Sequence, residues 1–96
     1  MLEIRKTDAF AVWLDGLDDT RARARVLVRI ERLAGGNPGD VKPVGEAVSE
    51  MRIDYGPGYR VYFTKAGRTI VILLAGGTKS TQAADIKTAI RMARHL

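Results

Sequence analysis

Cysteine is absent from the sequence, and its one histidine, His95, stands next to the last residue. Without thiols, neither disulfides nor thiolate metal sites can staple the fold, so packing alone must hold it, and a reducing compartment suits the chain. With a single histidine and no HExxH or Cys–His arrangement, the sequence offers no imidazole-based general acid and base. Long apolar runs are missing too. The longest, Ile70 to Ala75, is far short of a membrane span, and Glu3, Arg5, Lys6 and Asp8 stand where a signal peptide would be apolar. These features read as a cytoplasmic protein with no membrane partner. A phosphate-cradling P-loop is also lacking: Gly76-Gly77 precedes Thr78-Lys79-Ser80 without the earlier glycine that motif requires. The stretch reads as a tight strand-to-helix turn, and nucleotide hydrolysis drops out. Nothing suggests a metal site or a cofactor, and there are no internal repeats or low-complexity segments.

What is present suits one compact domain covering residues 1–96. The chain is 46% hydrophobic and 28% charged, too short for two domains and too apolar for a disordered chain. Sixteen Lys and Arg against eleven Asp and Glu give a net charge of +5, which favours a polyanionic partner, nucleic acid or an acidic protein.

Hydrophobic periodicity supplies the elements. Leu2 and Ile4 alternate with Glu3 and Arg5, as in a half-buried strand over Leu2 to Lys6. Thr7 or Asp8 caps a helix carrying Phe10, Trp13, Leu14 and Leu17, which Gly16 weakens near its end. A second helix, about Thr20 to Ala34, follows the potential caps Asp18 and Asp19. It places Val26, Ile30 and Leu33 on one face and stops at Gly35-Gly36-Asn37-Pro38. A polar loop through Pro43 and Gly45 comes next. From Val48 the period becomes two, with Ser49, Met51 and Ile53 against Glu50, Arg52 and Asp54; beyond Gly56-Pro57-Gly58, Val61 and Phe63 alternate with Arg60, Tyr62 and Thr64. Closing this hairpin with Tyr55 facing Tyr59 pairs Asp54 with Arg60, Ile53 with Val61, Arg52 with Tyr62 and Met51 with Phe63, every pair matched in character. After a turn at Ala66-Gly67, Arg68 to Ala75 reads as a central strand buried on both faces, ending at Gly76-Gly77. Ser80 or Thr81 caps a last helix with Ala83, Ile86, Ile90 and Ala93 as its apolar stripe and Lys87, Arg91 and Arg94 in solvent.

This order, β-α-α-β-β-β-α, with the strings "EMRIDYGPGYRVYF" and, one strand later, "LLAGGTKSTQAADI", resembles the RelE/ParE superfamily of toxins from bacterial type II toxin–antitoxin modules, in particular its addiction-module killer-protein branch. The resemblance covers essentially the whole chain. It implies an α+β fold in which a small antiparallel sheet packs against an N-terminal helical hairpin and a C-terminal helix. It also implies a ribosome-dependent mRNA endonuclease that inhibits translation, works without a metal, and is neutralised by a cognate antitoxin, itself a helix-turn-helix protein. Operator DNA would be met only through the antitoxin complex. The alternative within the same superfamily is a ParE-like inhibitor of DNA gyrase with no nuclease activity. Where members of the family often carry an acidic residue, this chain has Thr78.

RNA cleavage asks little of a protein, because the 2′-hydroxyl is a built-in nucleophile that needs alignment, deprotonation and charge neutralisation on the phosphate. Arg52, Arg60 and Lys79 are the candidate catalytic residues, the two guanidinium forks holding the scissile phosphate and the lysine adding a third positive charge. Tyr55, Tyr59 and Tyr62 are candidate substrate-binding residues through ring stacking, and Glu50, which shares the face of Arg52 and is the nearest candidate base, joins them. Bland counterparts stand beside these roles: an Arg60–Asp54 cross-strand ion pair, an Arg52–Tyr62 cation–π contact, an Arg52–Glu50 salt bridge, tyrosines that brace the hairpin, a solvated Lys79. Both arginines are expected on a solvent-facing surface, where truncation removes no core contact. Arg21, Arg25, Arg29 and Arg32 form a basic stripe on the second helix, either a solvated face or a contact for ribosomal RNA phosphates.

Overall fold

Thr7 begins the first helix: its hydroxyl accepts from the Phe10 N–H at 3.1 Å and donates to the Leu74 carbonyl at 2.6 Å, so one side chain both caps the helix and ties it to the sheet. Asp19 does the same local work for the second helix, accepting from the N–H groups of Arg21 (2.9 Å) and Ala22 (3.2 Å). The computed structural model describes all residues, Met1–Leu96. In chain order the elements are β1 (Glu3–Lys6), α1 (Asp8–Asp15), α2 (Thr20–Ala34), β2 (Val41–Gly45), β3 (Val48–Ile53), β4 (Tyr59–Ala66) and β5 (Ile70–Thr78); a 3₁₀ turn, Lys79–Thr81, leads into α3 (Gln82–Arg94). The sheet order is β1-β5-β4-β3-β2, with β1 parallel to β5 and the other neighbours antiparallel. No helix is long and apolar enough to cross a membrane.

The fold is therefore α+β, with three helices and a five-stranded mixed sheet, and it departs from the expected antiparallel sheet and β-α-α-β-β-β-α order in two ways. The first strand runs parallel to its neighbour. The polar loop around Pro43 contains a fifth strand, β2, paired with β3 from Val41↔Met51 to Gly45↔Val48. Pro43 is admissible because β2 is an edge strand, where a missing N–H leaves no ladder bond unmade.

The two sides of the sheet build two clusters. Phe10, Leu14, Ala22, Val26 and Leu33 of the helical hairpin pack on Met51, Ile53, Tyr59, Val61, Phe63, Val71 and Leu73. On the other side α3 covers Val48, Tyr62 and Leu74 through Ala89, with Ile86, Ile90, Met92 and Ala93 half-buried around them; Ala83, expected in that stripe, is exposed. The hairpin face expected to be wet is thus closed over, and Glu50 and Tyr62 are both 0% exposed.

The hairpin register is also two residues away from the expected one. Arg52 pairs with Arg60, Met51 with Val61, Glu50 with Tyr62 and Ile53 with Tyr59, and residues 54–58 form the connection. A shift of two keeps every side chain on its face, so the apolar pattern permits it equally well and the turn decides. Gly56 (φ 55°) and Gly58 (φ 80°) take the left-handed conformations that this five-residue connection needs. Strand β5 runs past its expected end through Gly76 and Gly77 to Thr78.

The β2–β3 turn is strained. Glu46 (φ 48°) and Ala47 (φ 65°) both occupy the left-handed region, where alanine is disfavoured. Arg94 grips the Glu46 carboxylate with two guanidinium nitrogens, one at 2.7 Å, and holds that carboxyl below its usual pKa. Replacing Ala47 by glycine should raise unfolding stability by roughly 1 kcal/mol, the left-handed penalty removed, seen as a higher denaturant midpoint at unchanged slope.

Candidate functional site

Like charges directly opposite on paired strands are destabilising, and Arg52 and Arg60 are direct partners. Each is offset by a carboxylate from outside the pair. Arg52 Nη2 donates to Asp40 Oδ1 at 3.1 Å on the surface. Arg60 Nε lies 3.9 Å from Glu50 Oε1 in the interior, too far for a hydrogen bond. The other Glu50 oxygen accepts from Gln82 Nε2 at 2.8 Å, which ties the first turn of α3 to the arginine face. Tyr62, opposite Glu50 in the ladder, is enclosed with its hydroxyl unpartnered. These contacts replace the two cross-strand pairings expected from the other register, Arg60–Asp54 and Arg52–Tyr62, and the expected same-strand Arg52–Glu50 salt bridge.

Arg60 has two distinct ends. Its Nε is buried without a partner, its side chain is 11% exposed, and the guanidinium makes no hydrogen bond within the chain. Lys79 approaches the same place from the strand-to-helix turn, its N–H donating to the Gly58 carbonyl at 2.8 Å. A Cβ added at Gly58 would sit 3.4 Å from Lys79 Cβ and 3.7 Å from Arg60 Nη1, so the Arg60 guanidinium and the base of the Lys79 side chain both lie against this glycine. The structure therefore brings Arg52, Arg60 and Lys79 to one end of the sheet.

The tyrosines are dispersed. Tyr55 lies on the helical-hairpin side, donating to Asp19 Oδ2 at 3.2 Å beneath the Arg25 guanidinium, which is 4.6 Å from the ring centroid. Tyr59 is buried edge-on to Trp13, with ring centroids 6.4 Å apart. With Tyr62 and Glu50 enclosed, these two act on Arg60 from within and present no surface to a ligand. Asp40 and Gln82 carry no signal in the sequence, because one precedes a strand without alternating pattern and the other is uncharged. No group of three His, Cys, Asp or Glu side chains converges to hold a metal ion.

Burial, then the neighbouring Glu50 and Asp85 carboxylates, raise the Tyr62 pKa above its ordinary value of about 10. Above about pH 10 the unfolded chain ionises this phenol while the folded chain keeps its proton, so the fold loses stability as pH rises through that range. In Tyr62→Phe this part of the alkaline loss should vanish. Stability near neutrality should change little, because the hydroxyl removed lies near the Glu50 carboxylate without a close hydrogen bond. Melting temperature against pH for both proteins measures it.

Taken together, these features define a small basic α+β protein whose two sheet faces are covered by helices and whose one sheet end gathers two arginines and a lysine. Residues 12–96 match the family described as Phage derived protein Gp49-like (DUF891), and the chain belongs to that family. An uncharacterized protein of Haemophilus influenzae (strain Rd) is 47% identical over 95 residues, covering 99% of this chain and 96% of its own length.

Proposed function

We propose that this Gp49-like protein is the toxin of a type II toxin–antitoxin module, a ribosome-dependent mRNA endonuclease held inactive by a cognate antitoxin. The observation that carries the reading is the Arg52–Arg60 pair, in which the Arg60 guanidinium makes no hydrogen bond within the chain and has Lys79 beside it. The resemblance of the hairpin and the following strand to RelE/ParE toxins supports it independently. In this reading the two arginines hold the non-bridging oxygens of the scissile phosphate. The 2′-oxygen attacks phosphorus after losing its proton, and the 5′-oxygen leaves, giving a 2′,3′-cyclic phosphate and a 5′-hydroxyl once that oxygen takes up a proton. Arg60 stabilises the charge gathering on the phosphate, and Glu50 and Gln82 keep its Nε side in place. The antitoxin, a helix-turn-helix protein, meets the arginines with acidic groups, and operator DNA is bound through that complex. The site of action is the cytoplasm, where translating ribosomes are.

Pulse labelling after induced expression tests the target. Amino-acid incorporation should stop before nucleotide incorporation into DNA changes, and co-expression of the antitoxin should restore it. Arrested DNA synthesis with continuing translation would replace the nuclease by the gyrase inhibitor that the same resemblance allows.

A further inference from the structure

The arginine stripe of α2 does not lie on a featureless helix face. Arg21, Arg25, Arg29 and Arg32 share one groove of about 490 Å³, whose opposite wall is Ile53 and Asp54, the residues that directly follow Arg52. Arg29 reaches across from α2 and is held there, donating to the carbonyls of Arg52 (2.6 Å), Pro38 (3.0 Å) and Asp40 (3.4 Å). Its three companions are exposed. The ion pairs of the protein, Arg5–Glu3, Arg52–Asp40, Arg60–Glu50 and Arg94–Glu46, leave Arg21, Arg25 and Arg32 with no carboxylate partner.

We propose that this groove is a binding track for single-stranded RNA and carries the nucleotides flanking those held at Arg52 and Arg60. The proposal rests on an RNA substrate but not on cleavage. Charge complementarity is its first support, since four arginines line the groove with Asp54 as the one carboxylate in its lining, and Asp19 and Asp40 stand at its margins. Length is the second: from Arg21 to Arg32 the helix rises about 16 Å, over which a strand stacked as in a duplex carries about five phosphates. The third is the Arg25–Tyr55 pair at the β3–β4 end, a guanidinium plane over a ring that Asp19 holds from below, which offers a stacking face for a base. An acidic protein segment fits less well. Protein interfaces centre on apolar anchors, and Val28 is the one exposed large apolar side chain lining this groove.

The test uses the full-length protein and a fluorescent 2′-O-methyl RNA oligonucleotide, which cannot be cleaved through its 2′-oxygen, and reads binding by anisotropy at several salt concentrations. Replacing Arg21, Arg25 and Arg32 together by glutamine should weaken binding on the order of tenfold or more and reduce the slope of log affinity against log salt by about 2, from three lost phosphate contacts. The corresponding triple lysine variant should retain most of both, and equal melting temperatures exclude misfolding as the cause. Tyr55→Leu should weaken binding, whereas Tyr55→Phe, which keeps the ring, should not. Unchanged affinity and slope in the folded glutamine variant would overturn the track. So would a polyglutamate peptide that displaces the RNA and binds these arginines more tightly. A wild-type protein that binds the oligonucleotide through these residues yet cuts nothing on ribosomes would sustain the track and remove the nuclease.

Discussion

Arg60→Ala should lower ribosome-dependent mRNA cleavage by about 100- to 1,000-fold, the usual loss when one preorganised contact to transition-state charge is removed. The same substitution should destabilise the protein, contrary to what an arginine on a wet strand face would do. Glu50 is fully enclosed, and Arg60 is the cation beside it. Stripping one partner from a well-formed buried pair typically costs about 3–5 kcal/mol, and because this 3.9 Å contact is not a hydrogen bond and Gln82 still holds Glu50, the loss here should fall below that range. Two further variants separate the effects. Glu50→Gln combined with Arg60→Ala should regain stability by removing the stranded charge, without regaining cleavage. Arg60→Lys keeps the charge but loses the planar fork, so it should stay folded and still lose most of the rate. Cleavage that returns together with stability in the double variant would mean that Arg60 serves the fold alone.

Gly76→Ala should give the largest loss of stability from a single added methyl group. A Cβ there would clash with three carbons of the Trp13 indole, a rigid side chain that already packs on Phe10 and Tyr59. Overpacking of this kind costs typically 1–3 kcal/mol. At this chain length that is a fall of roughly 10 °C in melting temperature. Gly77, on the other side of the strand, makes a useful comparison. Its added Cβ would meet the Asp85 carboxylate and, at 3.0 Å, Thr81 Oγ1, the far ends of side chains that can swing away. Gly77→Ala should therefore cost less. Trp13 is the single tryptophan of the sequence, so its emission reports both displacement and unfolding without a label. A melting temperature for Gly76→Ala equal to that of wild type would show that the indole does not lie against β5 in solution.

How far these features could be read in the sequence depended on how local their causes are. Helix α2 runs over the expected residues because Asp19 starts it and Gly35 ends it, both interactions being confined to a few neighbours. Strand β2 escaped because Lys42, Pro43 and Gly45 carry no alternating pattern; its partner's ladder makes it a strand. Face assignment in the β3–β4 hairpin survived the change of register, since a period of two is blind to a shift of two. The ion pairs did not survive it. Alternation also records polarity and not cover, so Glu50 and Tyr62 looked solvent-facing although α3 lies over them, and Arg60 although its side chain is 11% exposed. At the candidate site, Arg52, Arg60 and Lys79 do come together, because ladder register and the turn after β5 bring them there. The three tyrosines, close in sequence, separate into the Asp19–Arg25 contact, the Trp13 cluster and the layer beneath α3.

The most direct measurement adds purified wild-type protein and Arg60→Lys to ribosomes translating a defined message and maps the new RNA ends over time. Wild type should cut within ribosome-occupied codons, leaving 2′,3′-cyclic phosphate and 5′-hydroxyl termini, and Arg60→Lys at an unchanged melting temperature should be about 100-fold slower or worse. An intact message under wild-type protein, or equal cleavage by the two, would contradict the assignment of the arginine pair as a phosphate-handling site.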